Sequence, residues 1–87
     1  MPRYVIAYDI SSPRTRRKVV NILERHGDRL QRSVYIVDVS KASIDILERK
    51  ILDLLEENDS MLFIPCCIKC FRDARIHSSL APLAVVA

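Results

Sequence analysis

The chain has 87 residues, a mass of 10.0 kDa and a net charge of +3, which together fit one domain. Hydrophobic residues make up 49% of the sequence and there is a single glycine, so a disordered or collagen-like chain is excluded. No apolar run reaches the roughly 18 residues that a membrane-spanning helix needs, and the first residues lack a signal-peptide pattern. We therefore expect a cytoplasmic protein without a membrane partner.

The charges are unevenly distributed along the chain. Residues 1–32 carry eight basic and three acidic residues, whereas residues 33–59 carry three basic and seven acidic ones. Ten of the fourteen basic residues are arginine, which suits bidentate contacts with phosphate better than lysine does. This pattern is compatible with a nucleic-acid surface and also with a basic cluster that only keeps the domain soluble.

The first predicted element is an apolar strand that ends at Asp9 and is typical of the centre of a sheet. Ser12 and Pro13 are suited to begin a helix, which should run to about His26. Gly27 then falls where a left-handed residue commonly ends a helix.

Two further strands are predicted over 29–31 and 34–39, with an irregularity near Arg32 and Ser33. Ser40 should cap a second helix over about 41–57, because apolar residues recur there with helical spacing. A strand over 61–70 contains Pro65 and should therefore lie at a sheet edge or carry a bulge. Residues 71–79 are expected to form a polar connection and residues 80–87 a last extended stretch.

This order of elements predicts an α+β fold: a ferredoxin-like βαββαβ sandwich in which two helices cover one face of an antiparallel sheet. The single domain, 1–87, would consist of a core over 1–78 and a C-terminal strand over 79–87. We expect that strand to pair across a homodimer, where it would cover an open sheet edge.

Three cysteines, Cys66, Cys67 and Cys70, lie within five residues. Three thiols on one predicted strand do not supply the four ligands of a structural zinc site, so we expect small buried apolar side chains there. His77 is expected in an exposed loop, and His26 near the end of the first helix.

Four segments resemble the signature blocks of the Cas-two (Cas2) family of CRISPR-associated proteins. These are Tyr8-Asp9-Ile10, Arg16-Arg17-Lys18, the run from Gly27 to Tyr35, and the run from Ser60 to Pro65. The segments occur in the family's order and cover nearly the whole chain. Two departures stand out: Tyr35 where the family often has Phe, and Ser11-Ser12 where it often has two aspartates.

The resemblance implies a ferredoxin-like homodimer with endonuclease activity on RNA or DNA that depends on Mg²⁺ or Mn²⁺. It also implies assembly with the Cas-one (Cas1) integrase during spacer acquisition. By the resemblance, Asp9 is the catalytic and metal-binding residue, and Arg16, Lys18, Arg29 and Tyr35 are further functional positions.

The residues themselves suggest how such a site would work. A two-fold axis near the end of the first strand would bring Asp9 close to its copy in the partner, where a divalent cation would relieve the repulsion between the two carboxylates. The candidate nucleic-acid-binding residues are basic side chains near the start of the first helix and in the following strand: Arg14, Arg16, Arg17, Lys18 and Arg29. The candidate supporting residues are Tyr8, Ser33 and Tyr35, and Arg72 and Arg75 would extend the basic path.

Three functions remain open from the sequence. The leading one is the metal-dependent endonuclease. The second is a non-catalytic DNA-binding scaffold within an integration complex. The third, less favoured, is a ferredoxin-like regulatory module that binds a small ligand or a protein.

Overall fold

The computed structural model describes residues 2–77. In chain order its elements are β1 (Arg3–Asp9), α1 (Pro13–Glu24), β2 (Gly27–Gln31), β3 (Val34–Asp38), α2 (Lys41–Leu52), β4 (Ser60–Cys66) and α3 (Ile68–Arg72). The predicted trailing strand over 79–87 lies outside the described residues. Among residues 2–77, none of the helices has the length and apolarity required to cross a bilayer.

The four strands form one antiparallel sheet in the order β2-β3-β1-β4. The apolar strand β1 is central, as predicted, and pairs with β3 on one side and β4 on the other. Strand β4 lies at the edge, which is where Pro65 is tolerated because it has no N–H to donate to a neighbouring strand.

Helices α1 and α2 pack on the same face of the sheet. Their buried residues, Val19, Leu23, Ile44, Leu47 and Ile51, form one core with Ile6, Tyr8, Tyr35 and Val37 of the strands. This two-layer arrangement confirms the predicted α+β, ferredoxin-like fold.

Both helices begin where the sequence predicts and end earlier. The hydroxyl of Ser12 accepts from the Thr15 N–H at 3.3 Å, and that of Ser40 accepts from the Ser43 N–H at 3.2 Å. The prediction of a first helix to about His26 is wrong by two residues, because Arg25 and His26 close tighter turns onto carbonyls three residues earlier. The second helix likewise ends at Leu52 rather than near residue 57. The N–H groups of Leu54 and Leu55 donate to carbonyls three residues earlier, which makes tighter turns than those of an α-helix.

The predicted role of Gly27 is also wrong. Gly27 has no positive φ and is the first residue of β2, which is thus longer than the predicted strand over 29–31. A β-carbon at this position would lie 2.0 Å from the backbone oxygen of Ile36. Glycine is required there by the close approach of two strands, a property that depends on strand pairing and not on the local sequence.

The cysteine segment departs most from the prediction. Strand β4 ends at Cys66 rather than Cys70, Cys67 caps the five-residue helix α3, and Phe71 is buried instead of belonging to a polar connection. Phe71 packs with Leu30 and Ile36 on the sheet face opposite α1 and α2. Because the chain turns at Cys67, the expectation of buried cysteines is wrong: Cys66 is half-buried, and Cys67 and Cys70 are exposed.

Candidate nucleic-acid interface

The site is organised by the C-terminal end of the central strand β1. Asp9 is the last residue of β1 and its side chain is exposed, whereas the preceding Tyr8 is buried in the core. Alternation along the strand explains this contrast, because neighbouring side chains point to opposite faces. Tyr8 also fixes the β2–β3 turn: its N–H donates to the Ser33 carbonyl at 3.1 Å and its hydroxyl donates to the Arg32 carbonyl at 3.0 Å.

A cavity of about 350 Å³ opens at this strand end. Its lining comes from the end of β1, from α1 and from the β2–β3 turn: Tyr8, Asp9, Ile10, Arg16, Arg32 and Ser33. Arg16 is held in place by a hydrogen bond from its guanidinium to the Ile10 carbonyl at 3.0 Å. The folded chain therefore brings one carboxylate and two guanidinium groups to the same cavity.

A second cavity, of about 290 Å³, adjoins the first along α1 and shares Tyr8, Arg16 and Arg32 with it. Its lining adds Arg17 and Arg29 to these basic residues. We call the two cavities together the arginine cleft. Within residues 2–77, no hydrogen bond or ion pair engages the side chains of Arg17 or Arg32, so both remain available to an anion.

Arg29 is held differently, by a buried tyrosine. Its Nε donates to the Tyr35 hydroxyl at 2.9 Å, and that hydroxyl donates to Glu24 at 3.1 Å. Burial raises the pKa of Tyr35 to about 12 despite the nearby arginine, so the hydroxyl remains a donor at neutral pH. Burial opposes the charged form of Arg29, but Tyr35 and Glu24 outweigh it and its pKa is raised. Tyr35 therefore positions Arg29 through its hydroxyl, a contact that phenylalanine could not make.

The structure brings together most of the predicted site residues. Asp9, Arg16, Arg17, Arg29, Tyr8 and Ser33 line the arginine cleft, and Tyr35 supports Arg29. Arg14 and Lys18 are exposed on α1 and line neither cavity, and Arg72 and Arg75 are exposed near or after the end of α3.

Arg32 was missing from the predicted site, although it lines both cavities. A signal was present in the sequence: Arg32 directly precedes Ser33 in the irregularity predicted between two strands. Because β3 runs antiparallel to β1 and Val34 pairs with Ala7, that irregularity lies at the same end of the sheet as Asp9.

A second carboxylate close to this region serves the fold. Asp59 precedes the residue that pairs with Asp9, and its two oxygens accept from the N–H groups of Ser11 and Glu56 at 3.2 and 2.9 Å. These bonds tie the β1–α1 loop to the turn before β4. Asp9 is thus the one carboxylate among the residues that line the described arginine cleft.

The donor set limits which metal fits. Within residues 2–77, no group of three or more His, Cys, Asp or Glu side chains is arranged to hold a metal ion. Zinc is therefore a poor match, since its sites are closed by several nitrogen and sulfur ligands. Mg²⁺ usually keeps several waters and takes one or two carboxylates together with substrate phosphates. Asp9, in a cleft suited to phosphate, fits an ion of that kind.

The fold and the site together define a small ferredoxin-like α+β protein with an arginine-lined cleft at the end of its central strand. Comparison with known sequences narrows this class. The chain matches the family model described as CRISPR associated protein Cas2 over residues 1–74, and it belongs to this family.

Individual relatives agree with this assignment. The chain is 40% identical over 63 residues to "CRISPR-associated endoribonuclease Cas2 3" of Synechocystis sp., a match that covers 71% of this chain and 68% of the relative. It is 40% identical over 76 residues to "CRISPR-associated endoribonuclease Cas2 4" of Rhodospirillum rubrum, covering 86% of this chain but only 60% of that longer relative. Among solved structures, a chain of a "Partial Cas6-RT-Cas1--Cas2 complex" superposes with a TM-score of 0.75 at 28% identity, covering 86% of this chain and 89% of that one.

Proposed function

We propose that this protein is a metal-dependent endonuclease of CRISPR spacer acquisition that cleaves phosphodiester bonds in RNA or DNA. The observation that carries the proposal is the position of the exposed Asp9 carboxylate beside Arg16 and Arg32 at the end of β1. Two relatives named as endoribonucleases support the activity, and a structural neighbour from a Cas1–Cas2 complex supports Cas1 as the partner.

Each part of the arginine cleft has a role in this proposal. Arg17 and Arg32 bind phosphate oxygens of the nucleic acid. Arg16 and Arg29, which are fixed by hydrogen bonds within the protein, hold the sugar–phosphate backbone of the nucleic acid against the cleft. Contacts of this kind recognise the backbone and not the bases, so affinity should fall steeply with salt. Asp9 would hold Mg²⁺ or Mn²⁺, which when bound supplies an activated water and offsets charge on the phosphate.

The proposal includes a homodimer. Among residues 2–77, strand β4 pairs on one side only, and its side chains Leu62 and Ile64 are 59% and 48% exposed. Large apolar side chains on an unpaired edge favour a further strand or a second subunit. In the proposed dimer the partner supplies a second Asp9, which compensates for the single carboxylate in each cleft.

A DNA-binding scaffold without catalysis is the second candidate. It is favoured by that same single carboxylate, because Ser11 and Ser12 offer no acidic group between Asp9 and α1. The scaffold needs the arginines and the dimer but not Asp9. The less favoured regulatory module predicts no salt-dependent binding of nucleic acid.

The deciding experiment compares the wild type with Asp9→Asn on labelled RNA and duplex DNA, in Mg²⁺, Mn²⁺ and chelator. The endonuclease proposal expects cleavage to fall by at least about 100-fold, since even residues that only orient a metal ligand cost 10- to 100-fold. Asp28→Asn is the matched control, because Asp28 is also an exposed aspartate on a strand. Cleavage that persists in Asp9→Asn or in chelator would contradict the proposal.

A second assay separates the endonuclease from the scaffold. Spacer integration is measured with Cas1 and either wild type or Asp9→Asn. If integration is unchanged while Asp9→Asn binds DNA normally and the wild type shows no cleavage, the scaffold function is the correct one.

A further inference from the structure

Two cysteines far from the arginine cleft form an organised pair. Cys67 is the N-cap of α3, and its sulfur accepts a hydrogen bond from the Cys70 N–H at 3.1 Å. Both residues are exposed. Cys66, one residue earlier, is instead half-buried and packs with Leu30, Ile36 and Phe71. Of the three neighbouring cysteines, Cys66 therefore packs against the fold, whereas Cys67 and Cys70 are accessible to solvent.

The pair is placed for a disulfide. The Cys70 N–H meets the Cys67 sulfur at 3.1 Å, so this sulfur lies against the first turn of α3, beside Cys70. A disulfide requires β-carbons about 3.5–4.5 Å apart, and we expect rotation of the two side chains with an adjustment of that turn to reach this distance. Cys66 and Cys67 are adjacent residues at the end of a strand, where successive side chains point to opposite faces. Pairing of Cys67 with Cys70 is therefore favoured over pairing with Cys66.

The two thiols also differ in acidity. Hydrogen bonds from the Cys70 side chain and N–H hold the pKa of Cys67 below its ordinary value, while the interaction with Cys67 raises the pKa of Cys70. Since the thiolate is the nucleophile, Cys67 should react first and Cys70 second.

The surroundings of Cys67 leave room for a reaction partner. An open cavity of about 530 Å³ lies beside it, lined by Pro2, Arg3, Pro65, Cys66, Cys67 and Ile68. Cavities of about 300–1,000 Å³ accommodate small ligands. Cys67, and not Cys70, faces this cavity, which agrees with Cys67 as the attacking thiol.

We propose that Cys67 and Cys70 are a redox-active dithiol that exchanges with low-molecular-weight disulfides of the glutathione class. The Cys67 thiolate attacks one sulfur of the small disulfide, forming a mixed disulfide and releasing one thiolate, which takes a proton from solvent. Cys70 then loses its proton to solvent and attacks the Cys67 sulfur, which breaks the mixed disulfide and releases the second small thiolate, and this too takes a proton from solvent. Counting the proton that Cys67 gives up when it ionises, the protein loses two electrons and two protons, and the small disulfide gains them.

This inference does not depend on the proposed nuclease function. Cys66 pairs with Arg3 at the opposite end of β1 from Asp9, and a seven-residue strand spans about 20 Å. A test that reads the thiols directly is therefore separate from any test of cleavage.

The experiment incubates the full chain with mixtures of reduced and oxidised glutathione, blocks free thiols with an alkylating agent and maps the products by peptide mass spectrometry. We expect a Cys67–Cys70 disulfide that excess reduced glutathione reverses. In the reduced protein, we expect Cys67 to be alkylated several-fold faster than Cys66 or Cys70 at neutral pH.

Three variants complete the test. Cys67→Ser should abolish the disulfide while keeping α3, because a serine hydroxyl is itself a good N-cap. Cys70→Ser should stop the reaction at a mixed disulfide on Cys67. Cys66→Ala, the matched control, should still form the Cys67–Cys70 bond. A Cys66–Cys67 disulfide, equal reactivity of all three thiols, or mixed disulfides without ring closure in the wild type would overturn the proposal.

Discussion

The two ends of the central strand β1 use arginine in opposite ways. At the Arg3 end, the guanidinium binds Asp38 through two hydrogen bonds of 2.6 and 2.8 Å and lies 4.5 Å from the centre of the Phe71 ring. At the Asp9 end, Arg17 and Arg32 line the arginine cleft without an acceptor among residues 2–77. Arginine at the first end joins parts of the fold, whereas at the second end two of the four cleft arginines remain available to a ligand.

This contrast shows what separates a structural charge from a functional one in so small a domain. An arginine that binds a carboxylate in two hydrogen bonds, as Arg3 does, is held in place and has its charge balanced, so it offers less to a phosphate. An arginine without a partner in the fold lowers the stability of the protein little, because its charge remains solvated. Substitutions at the Arg3 end should therefore change stability, and those at the Asp9 end should change binding.

The largest expected effect lies at the Arg3 end of the sheet. Gly27 pairs with Val37, next to Asp38, and Gly27→Ala would place a β-carbon against the backbone of Ile36. We expect a loss of about 3 kcal/mol in the free energy of unfolding, at the upper end for overpacked sites, because backbone cannot move aside as a side chain can. Denaturant unfolding of the wild type and the variant measures this loss. Asp28→Ala, an exposed neighbour on the same strand, is the control and should change stability far less.

The next largest effect is expected on nucleic-acid binding at the Asp9 end of β1. Arg17→Ala combined with Arg32→Ala should weaken nucleic-acid binding by about tenfold or more and lower the slope of log affinity against log salt by about two. Fluorescence anisotropy over a salt series measures both quantities. Unfolding should be nearly unchanged, because neither side chain is engaged within the described residues.

The control for this pair is a single arginine on another surface. Arg49→Ala, on the exposed side of α2, removes a positive charge away from the arginine cleft and should leave the salt slope almost unchanged. If Arg49→Ala weakens binding as much as either cleft substitution does alone, net charge and not the cleft would explain the affinity.

Tyr35 connects fold and cleft, so its variant should affect both. Tyr35→Phe removes the hydroxyl between Arg29 and Glu24, and we expect a loss of about 1 kcal/mol in stability together with weaker binding through Arg29. Tyr4→Phe is the matched control: Tyr4 packs at the edge of the same core, and within residues 2–77 its hydroxyl makes no hydrogen bond.

The raised pKa of Tyr35 adds a dependence on pH. The folded state keeps the Tyr35 proton to about pH 12, whereas the unfolded chain releases it near pH 10. Tyr35 therefore favours folding below pH 10, and this contribution is lost as the pH rises from 10 to 12. Unfolding measured over that range should show a shallower decline in Tyr35→Phe than in Tyr4→Phe; equal declines would contradict the assignment.

The architecture was predictable because it depends on local and periodic signals. The caps at Ser12 and Ser40, the apolar β1 and the helical spacing from Ile44 to Ile51 each indicate one element, and their order leaves few topologies. Gly27 and the cysteine segment were not predictable in this way. The need for glycine arises from the pairing with β3, and the turn at Cys67 is accompanied by the packing of Phe71 on the far face of the sheet.

The site was predictable in its chemistry more than in its geometry. The resemblance identified Asp9, Arg16, Lys18, Arg29 and Tyr35, and the structure brings all of these except Lys18 to one region. No sequence signal separates Arg17, which lines the cleft, from its neighbour Lys18, which does not, because that difference depends on the rotation of α1 against the sheet. The hydrogen bonds that fix Arg16 and Arg29 likewise depend on contacts between elements.

The smallest expected effect concerns the ion pair at the Arg3 end. The hydrogen bonds from Arg3 hold the pKa of Asp38 below its ordinary value. The carboxylate thus favours folding above about pH 4, and the contribution is lost as the pH falls through the lower pKa of the folded state. Because the two side chains are 30% and 51% exposed, Asp38→Asn should cost less than about 1 kcal/mol at neutral pH, and less still at high salt.

Unfolding measured at pH 7 and near pH 3, with Asp45→Asn on α2 as the control, tests this ion pair. Asp45 is an exposed aspartate that forms no ion pair within the described residues, so its variant should change stability little at either pH. The destabilisation by Asp38→Asn should shrink in acid. If Asp38→Asn instead weakened nucleic-acid binding while leaving stability intact, the division of roles between the two ends of β1 would be wrong, since a residue about 20 Å along the strand from Asp9 would then act on the ligand.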